Sequence, residues 1–337
     1  MVLVNAGRRR SDAIVVTGDA EPVCVPLPDL VLNDVFSQAR ELMDVTHDGS
    51  SLSSVLRRHR VLRDVLSWLW DAFVSRVVDT LPSVSGTAAP LPRVWWMPIG
   101  LLGLFPLHAA GHPGEPGALD RVVSSYTPTL RALAHARARP RATARHQFTV
   151  ALTRTPGLRD LPGTAAEAAV LHALHADGTP LIDHDATTTR VLAGIAKATW
   201  AHFACHARAD LATPSLSGLR LHDGTLPLPD ISRLRLAHAE LAYLSACSTA
   251  HGGTWLADEV LHLASAFQVA GYRHVIASLW PLDDRIAAKA AAAFYHRMPD
   301  TPVADHAASA LHHITRDLRD EHPDRADLWA PLIHSGP

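Results

Sequence analysis

The sequence has few cysteines and no apolar segment long enough to cross a bilayer. Its three cysteines, Cys24, Cys205 and Cys247, show no C-x-x-C spacing, which argues against a disulfide framework and against a thiolate zinc site. The apolar start before Arg8 is too short for the core of a secretory signal peptide. These absences predict a cytoplasmic protein that works in a reducing compartment and has no membrane partner.

Neither sign of charge dominates the chain. The 31 Lys and Arg residues are balanced by 33 Asp and Glu residues, so the formal net charge is −2 with histidine neutral. This balance offers no broad basic surface to nucleic acid, and the arginine-rich run at 137–145 lacks the aromatic partners of a strand-binding patch. A glycine-rich phosphate loop and an H-E-x-x-H pair are also missing. We therefore expect no nucleic-acid partner, no cofactor and no metal site.

The first part of the chain predicts a small β-hairpin or meander followed by helices. We place the hairpin and a lead-in helix in residues 1–48 and the main domain in 49–337, whose N-terminal subdomain covers 49–145. The predicted elements are strands at 2–4, 13–17, 22–27, 94–99 and 121–126, and helices at 34–44, 52–80 and 130–138.

The second subdomain, residues 146–337, alternates strand-like and helix-like segments, which is the pattern of a parallel sheet with right-handed crossovers. The stretch 206–230 is rich in Asp, Pro, Gly and Ser and is predicted to be a loop that lines a cleft. We expect an α/β fold with a mainly parallel sheet between two helical layers. The predicted strands are 147–153, 199–205, 241–246 and 273–279, and the predicted helices are 164–176, 187–197, 257–270, 284–297 and 301–320.

Two of these strands end in residues that can carry chemistry, His206 and Cys247. Ligands bind beyond the carboxyl ends of parallel strands, and a cysteine and a histidine that meet there form a nucleophile with its proton-transfer partner. Taken singly, each is more simply interpreted as a core or surface residue. Cys205, inside the apolar run, is expected to be buried and inert. His202 and His206 would form a zinc pair on a helix, but this segment predicts a strand.

The residues around these two positions resemble a known family. His202–His206 is similar to the His motif of the CHAT domain, a caspase-like peptidase relative often found with tetratricopeptide repeats, and Ser245–Ala250 is similar to its Cys motif. No repeat of tetratricopeptide length is visible, so the chain resembles the C-terminal part of a repeat-bearing relative. Further segments match the family in the same order: Val94–Gly100 with Phe105–His108, Ser124–Thr129, Ala277–Asp284 and Leu328–Pro331.

The resemblance implies a caspase-like three-layer α/β/α fold and a cysteine endopeptidase acting on protein substrates. In it Cys247 would be the nucleophile and His206 the general acid/base, with the backbone N–H groups of Ala207 and Cys247 as the oxyanion hole. Ala207 stands where the family usually has Gly. The expected partners are a protein substrate and a repeat-containing or regulatory chain. Two alternatives stay open: a catalytically silent scaffold, and Cys-dependent acyl transfer on small substrates.

Asp283 and Asp284 are the candidate substrate-binding residues. They follow the Leu279-Trp280 pair, and in separases, which this region also resembles, the acidic residue after that pair recognises a basic residue before the cut. A carboxylate in this place would form a charge-assisted contact with Arg. The equally weighted alternative is that one of these carboxylates caps the helix predicted from residue 284 and never meets substrate.

Overall fold

The computed structural model describes residues 1–18, 20–46, 51–81, 90–208, 217–245, 247–248 and 259–337. Its strands are short. They are β1 (Val2–Asn5), β2 (Asp12–Val15), β3 (Val23–Pro26), β4 (Arg93–Pro98), β5 (Val123–Tyr126), β6 (Gln147–Ala151), β7 (Thr179–Ile182), β8 (Trp200–Ala204), β9 (His206–Arg208), β10 (Gly218–Leu221), β11 (Gly224–Pro227), β12 (Leu241–Leu244), β13 (Cys247–Ser248), β14 (His274–Ser278) and β15 (Leu332–Ser335).

The helices range from one turn to five, and a π-helical turn, Trp70–Val74, joins the second to the third. None of the helices in the described ranges is both long enough and apolar enough to span a membrane. They are α1 (Leu32–Thr46), α2 (Leu52–Leu69), α3 (Ser75–Asp79), α4 (Ala118–Arg121), α5 (Leu130–Ala138), α6 (Gly163–Leu174), α7 (Thr188–Ile195), α8 (Leu228–Ser232), α9 (Glu259–Ala270), α10 (Asp284–Arg297), α11 (Ala307–Glu321) and α12 (Ala326–Trp329).

The chain divides into two units. The first contains Met1–Pro128 and Thr315–Pro331, and the second contains Thr129–Ile314 and Leu332–Pro337, so the division passes through α11. Each unit therefore combines a long segment with a short one from the C-terminal end of the chain, so one cut in the sequence cannot separate the two units. The subdomain boundaries placed after residues 48 and 145 stay predictions.

The first unit contains strands in the order β3-β2-β1-β4-β5. The pairs β1–β2 and β2–β3 are antiparallel, which confirms the predicted N-terminal meander, whereas β4 is parallel to both β1 and β5. On α2 and the π-helical turn, the apolar side chains that recur every three or four residues are buried, as this periodicity predicts. These side chains are Leu62, Val65, Leu66, Leu69 and Phe73.

The second unit contains strands in the order β15-β14-β12-β8-β6-β7, all parallel to their neighbours except β15. Every residue of β6, β8 and β12 is buried. Strands buried on both faces are typical of a parallel sheet covered by helices on each side. The predicted α/β fold with a mainly parallel sheet is confirmed.

A second, small sheet in this unit has the order β11-β10-β9-β13. Its strands β9 and β13 continue the chain directly after β8 and β12 of the large sheet. The prediction that 206–230 is a loop is wrong, because β9, β10 and β11 lie in it and the short helix α8 begins in it. Residues 209–216 of that stretch lie outside the described residues.

Candidate active site

Two chain segments run from the large sheet into the small sheet, and they pair with each other in the same register in both sheets. In the large sheet β12 pairs with β8 from Leu241 opposite Trp200 to Leu244 opposite Phe203. In the small sheet β13 pairs with β9 in the same parallel sense and with the same sequence offset, so that Cys247 lies opposite His206. Paired strands lie about 4.8 Å apart. The backbone therefore brings together the two residues that end the predicted strands.

His206 is buried, and its ring is oriented by a backbone carbonyl. Nε2 lies 2.7 Å from the carbonyl oxygen of Arg159. Because a carbonyl only accepts, Nε2 carries the hydrogen and Nδ1 presents its lone pair in the neutral ring. Nδ1 is buried and has no hydrogen-bond partner among the residues that the structure describes. This ring nitrogen is therefore available to accept a proton from a group placed beside it.

The surroundings of His206 lower its pKa and so favour the neutral form of the ring. Burial is the largest cause that lowers the pKa of His206, and the positive charges of Arg159 and Arg220 lower it further. The hydrogen bond to Arg159 and the negative charge of Asp284 act in the opposite direction. Arg220 lies on β10, next to the pair of Leu219 with Ala207, and its Nη1 donates to Thr225 Oγ1 at 2.7 Å. A neutral imidazole is the form that can act as a general base.

The two candidate carboxylates differ in their contacts. Asp283 is the N-cap of α10, where its Oδ1 accepts from the N–H groups of Arg285 at 3.1 Å and Ile286 at 3.4 Å. Asp284 is half-buried and reaches the start of α6, where its Oδ2 accepts from the N–H of Gly163 at 2.5 Å. A Cβ at Gly163 would lie 2.7 Å from the Asp284 carboxyl carbon, so only glycine fits there. Helix capping therefore describes Asp283, and Asp284 belongs to the surroundings of His206.

Two residues that the sequence did not single out also belong to this region. One is Arg159, which acts through its backbone oxygen and so gives no signal in its side chain. The other is Glu167 on α6, whose carboxylate contacts His202 at 2.9 Å and Ser245 at 3.1 Å. His202 lies in a strand and does not share a helix face with His206. Cys205 is buried, as expected.

Ala207 and Cys247, the two residues of the predicted oxyanion hole, lie on neighbouring strands of the small sheet. Ala207 lies in β9, opposite Ser248 of β13 and Leu219 of β10. Cys247 is placed by its backbone in β13. Ala246, Thr249 and Ala250 of the Cys motif, with the following residues to 258, lie outside the described residues.

Elsewhere in the second unit, Glu240, His274 and Asp305 are grouped closely enough to hold a metal ion, with ligand atoms within 4.8 Å of one another. The guanidinium of Arg273 already occupies this cluster. Its Nη1 lies 2.9 Å from Glu240 Oε1 and 3.5 Å from Asp305 Oδ1. The carboxylates are therefore neutralised by a side chain of the protein, as buried charges usually are.

Comparison with known proteins assigns the chain to a family. The CHAT domain profile matches residues 63–337, which is most of the chain. The chain belongs to the CHAT domain family. No curated protein sequence matches it.

This CHAT domain is similar in fold to chains of the separase–securin complex of Saccharomyces cerevisiae. Two crystal structures of that complex, at 2.6 and 3.0 Å resolution, match with TM-scores of 0.63 and 0.68 and 9% sequence identity each. The matches cover 99% of this chain but only 30% and 29% of the matched chains. At this identity the likeness establishes the fold alone, and it confirms the predicted caspase-like fold.

Proposed function

We propose that this CHAT domain is a cysteine endopeptidase with Cys247 as nucleophile and His206 as general acid/base. The observation that supports it most is the pairing of β13 with β9, which sets Cys247 opposite a buried His206 whose Nδ1 has no partner among the described residues. A thiol beside that nitrogen would transfer its proton to Nδ1. The resulting imidazolium would keep its Nε2–H bond to the Arg159 carbonyl, which favours the charged form.

The proposed reaction has two stages. In the first, the Cys247 thiolate attacks the carbonyl carbon of the scissile peptide, and the backbone N–H groups of Ala207 and Cys247 stabilise the oxyanion. The C–N bond then breaks while His206 protonates the leaving amine, which leaves a thioester on Cys247. In the second, His206 takes a proton from water, the hydroxide attacks the thioester, and Cys247 leaves with the acid product released.

An activity probe tests this proposal. A peptidyl acyloxymethyl ketone should alkylate wild-type protein at Cys247, as located by mass spectrometry. We expect Cys247→Ala to lose the label and the cleavage of peptides, and His206→Ala to react about 10²- to 10⁴-fold more slowly. The matched control is Cys205→Ala, because Cys205 is buried one residue before His206. An unlabelled Cys247 in folded wild-type protein would favour the alternative, a catalytically silent scaffold.

We further propose that Asp284 recognises a basic residue before the cut. Asp284 is half-buried, and one of its carboxylate oxygens accepts a hydrogen bond from the N–H of Gly163 at the start of α6. Its negative charge raises the pKa of His206. Among the described residues Asp283 contacts only the start of α10 that it caps, including Arg285, so we assign it no primary role in recognition. The protein substrate, the repeat-containing or regulatory partner and the cytoplasmic location stay predictions. A substrate library that varies the residue before the cut tests the assignment of Asp284.

A further inference from the structure

One buried carboxylate links the two strands of the large sheet, β8 and β12, that precede the residues of the proposed dyad. Glu167, on α6, places Oε2 2.9 Å from Nε2 of His202 and Oε1 3.1 Å from Oγ of Ser245. His202 lies in β8 and Ser245 directly follows β12. Glu167 and His202 are both buried. One side chain of a neighbouring helix thus holds both strands just before His206 and Cys247.

The hydrogen positions in this network follow from its partners. Tyr295 Oη lies 3.3 Å from Nδ1 of His202, and burial raises the pKa of Tyr295, so the hydroxyl keeps its proton and can donate it. His202 then carries its hydrogen on Nε2 and donates it to Glu167. The other Glu167 oxygen accepts from the hydroxyl of Ser245. Stacking on Tyr243, with ring centroids 5.1 Å apart, fixes the imidazole plane.

These bonds lie where the chain passes from one sheet to the other. Pairing in the large sheet reaches Leu244 opposite Phe203, and pairing in the small sheet begins at Cys247 opposite His206. Ser245 is the first residue after the large sheet. A hydrogen bond at that residue restrains the chain two residues before Cys247.

We propose that Glu167 is a positioning residue that aligns Cys247 with His206 through its bonds to Ser245 and His202. The inference rests on the proposed function of Cys247 and His206. A buried carboxylate is unfavourable unless its oxygens are bonded, and here both are bonded to the segments that carry the dyad. The role is geometric and does not require the negative charge of Glu167.

Two pairs of variants separate geometry from charge. Ser245→Ala removes the hydroxyl, whereas Ser245→Thr keeps it. Glu167→Leu removes both contacts, whereas Glu167→Gln can accept from Ser245 with its oxygen and donate to Nε2 of His202 after a change of tautomer. Positioning predicts that the Thr and Gln variants retain function. A role for the charge of Glu167 predicts that Gln is as damaging as Leu.

The first readout is peptide cleavage. Because small misplacements of reacting groups cost about 10²-fold in rate, we expect Ser245→Ala and Glu167→Leu to lower kcat by about 10- to 100-fold with little change in KM. The thermal midpoint of each variant is measured alongside. Ser125→Ala is the stability control, since Ser125 is a buried strand serine of the first unit that accepts from Arg93 at 2.8 Å. It should lose stability but not kcat.

The second readout does not depend on a substrate. The rate of alkylation of Cys247 by iodoacetamide is followed across pH by mass spectrometry, with the exposed Cys24 as internal reference. In Ser245→Ala and Glu167→Leu the ratio of the two rates should fall, and the pH profile of Cys247 should move toward that of an ordinary thiol, whose pKa is about 8.5.

The two readouts distinguish this inference from the proposed function. An unchanged alkylation ratio and pH profile in Ser245→Ala and Glu167→Leu overturns the positioning role, even if the wild type cleaves peptides. A ratio that falls in those variants while the wild type cleaves nothing supports positioning and removes the endopeptidase proposal. Equal losses in Glu167→Gln and Glu167→Leu also overturn the positioning role.

Discussion

Replacing Asp284 by Asn removes a negative charge near His206 while keeping the contact that holds the side chain. In the wild type Oδ2 of Asp284 accepts from the N–H of Gly163 at 2.5 Å. The amide oxygen of Asn can accept the same hydrogen bond, so the variant changes the charge and leaves the start of α6 intact. Asp283→Asn is the matched control. It removes an equal charge from the neighbouring residue, whose side chain caps α10.

The expected effect on specificity follows from the burial of Asp284. Removing one partner of a buried charge pair costs about 2–5 kcal/mol, whereas exposed ion pairs contribute about 0.2–1 kcal/mol. Asp284 is half-buried and one of its oxygens is already bonded to Gly163. We therefore expect the contact with a substrate Arg or Lys to contribute about 1–2 kcal/mol, or about 5- to 30-fold in kcat/KM.

The assay compares kcat/KM for fluorogenic peptides that carry Arg, Lys, Leu or Asp before the cut. Asp284→Asn should lose the preference for Arg and Lys over Leu, and Asp283→Asn should keep it. The measurement also has a pH component. Because the charge of Asp284 raises the pKa of His206, its removal should move the acid limb of kcat/KM to lower pH. An apolar preference in the wild type, or an unchanged profile in folded Asp284→Asn, would refute the assignment.

Three further outcomes are expected. Cys205→Ala should retain cleavage within a fewfold of wild type in the peptide assay, since Cys205 is buried beside the dyad. Gly163→Ala should lower the free energy of unfolding in urea by about 1–3 kcal/mol, because the added Cβ would lie 2.6 Å from the backbone carbonyl oxygen of Asp284. A urea midpoint equal to or higher than that of the wild type contradicts this. The free energy of unfolding should also fall as pH drops below about 6.5, because some histidines bind their proton mainly in the unfolded chain. The loss is up to about 1.4 kcal/mol per pH unit for each such histidine. A constant unfolding midpoint from pH 7.5 to 5.5 contradicts this. Burial lowers the pKa of four such histidines, His59, His175, His206 and His274.

The central strands of the large sheet could be predicted because each lies in an apolar run of the sequence. Residues 199–205 and 241–246 predicted β8 and β12, which lie at Trp200–Ala204 and Leu241–Leu244. The small sheet could not be predicted, since β9 and β13 contain only three and two residues, too few to show an alternation of apolar and polar side chains. Strands β7 and β15 of the large sheet were missed because each contains only two apolar residues beside Thr179 and Pro180 or His334 and Ser335.

One helix was predicted to begin too early. The prediction of a helix over 301–320 is wrong at its start, because α11 begins at Ala307. Pro302 disfavours helix in the residue before it, and the segment makes tertiary contacts that a helix would not allow. The carbonyl of Pro302 accepts from the Trp200 indole at 2.8 Å, and the N–H of Ala304 donates to Glu240 at 3.0 Å.

Only the residues of the candidate site that contribute through their side chains could be predicted from the sequence. His206 and Cys247 end apolar strands, so the topology of a parallel sheet was enough to place them at one edge. The Arg159 carbonyl could have come from any residue type, and its role depends on the path of the turn before α6. Glu167 lies in an alanine-rich helical segment whose pattern gives no sign that this carboxylate is buried, and it is the packing of α6 on β6 and β8 that buries it. Backbone acceptors and buried charges are tertiary properties that a local pattern does not encode.

The contacts of His206 weigh against a purely structural role. A buried polar atom without a partner costs about 1–3 kcal/mol, so such atoms need an explanation. An unpartnered ring nitrogen is not diagnostic by itself, because Nε2 of His175 also lacks a partner among the described residues. His206 differs because its strand partner is Cys247 and its other nitrogen is fixed by a carbonyl. The proposed function accounts for that combination, because a thiol protease needs an oriented neutral imidazole whose lone pair is directed at the nucleophile.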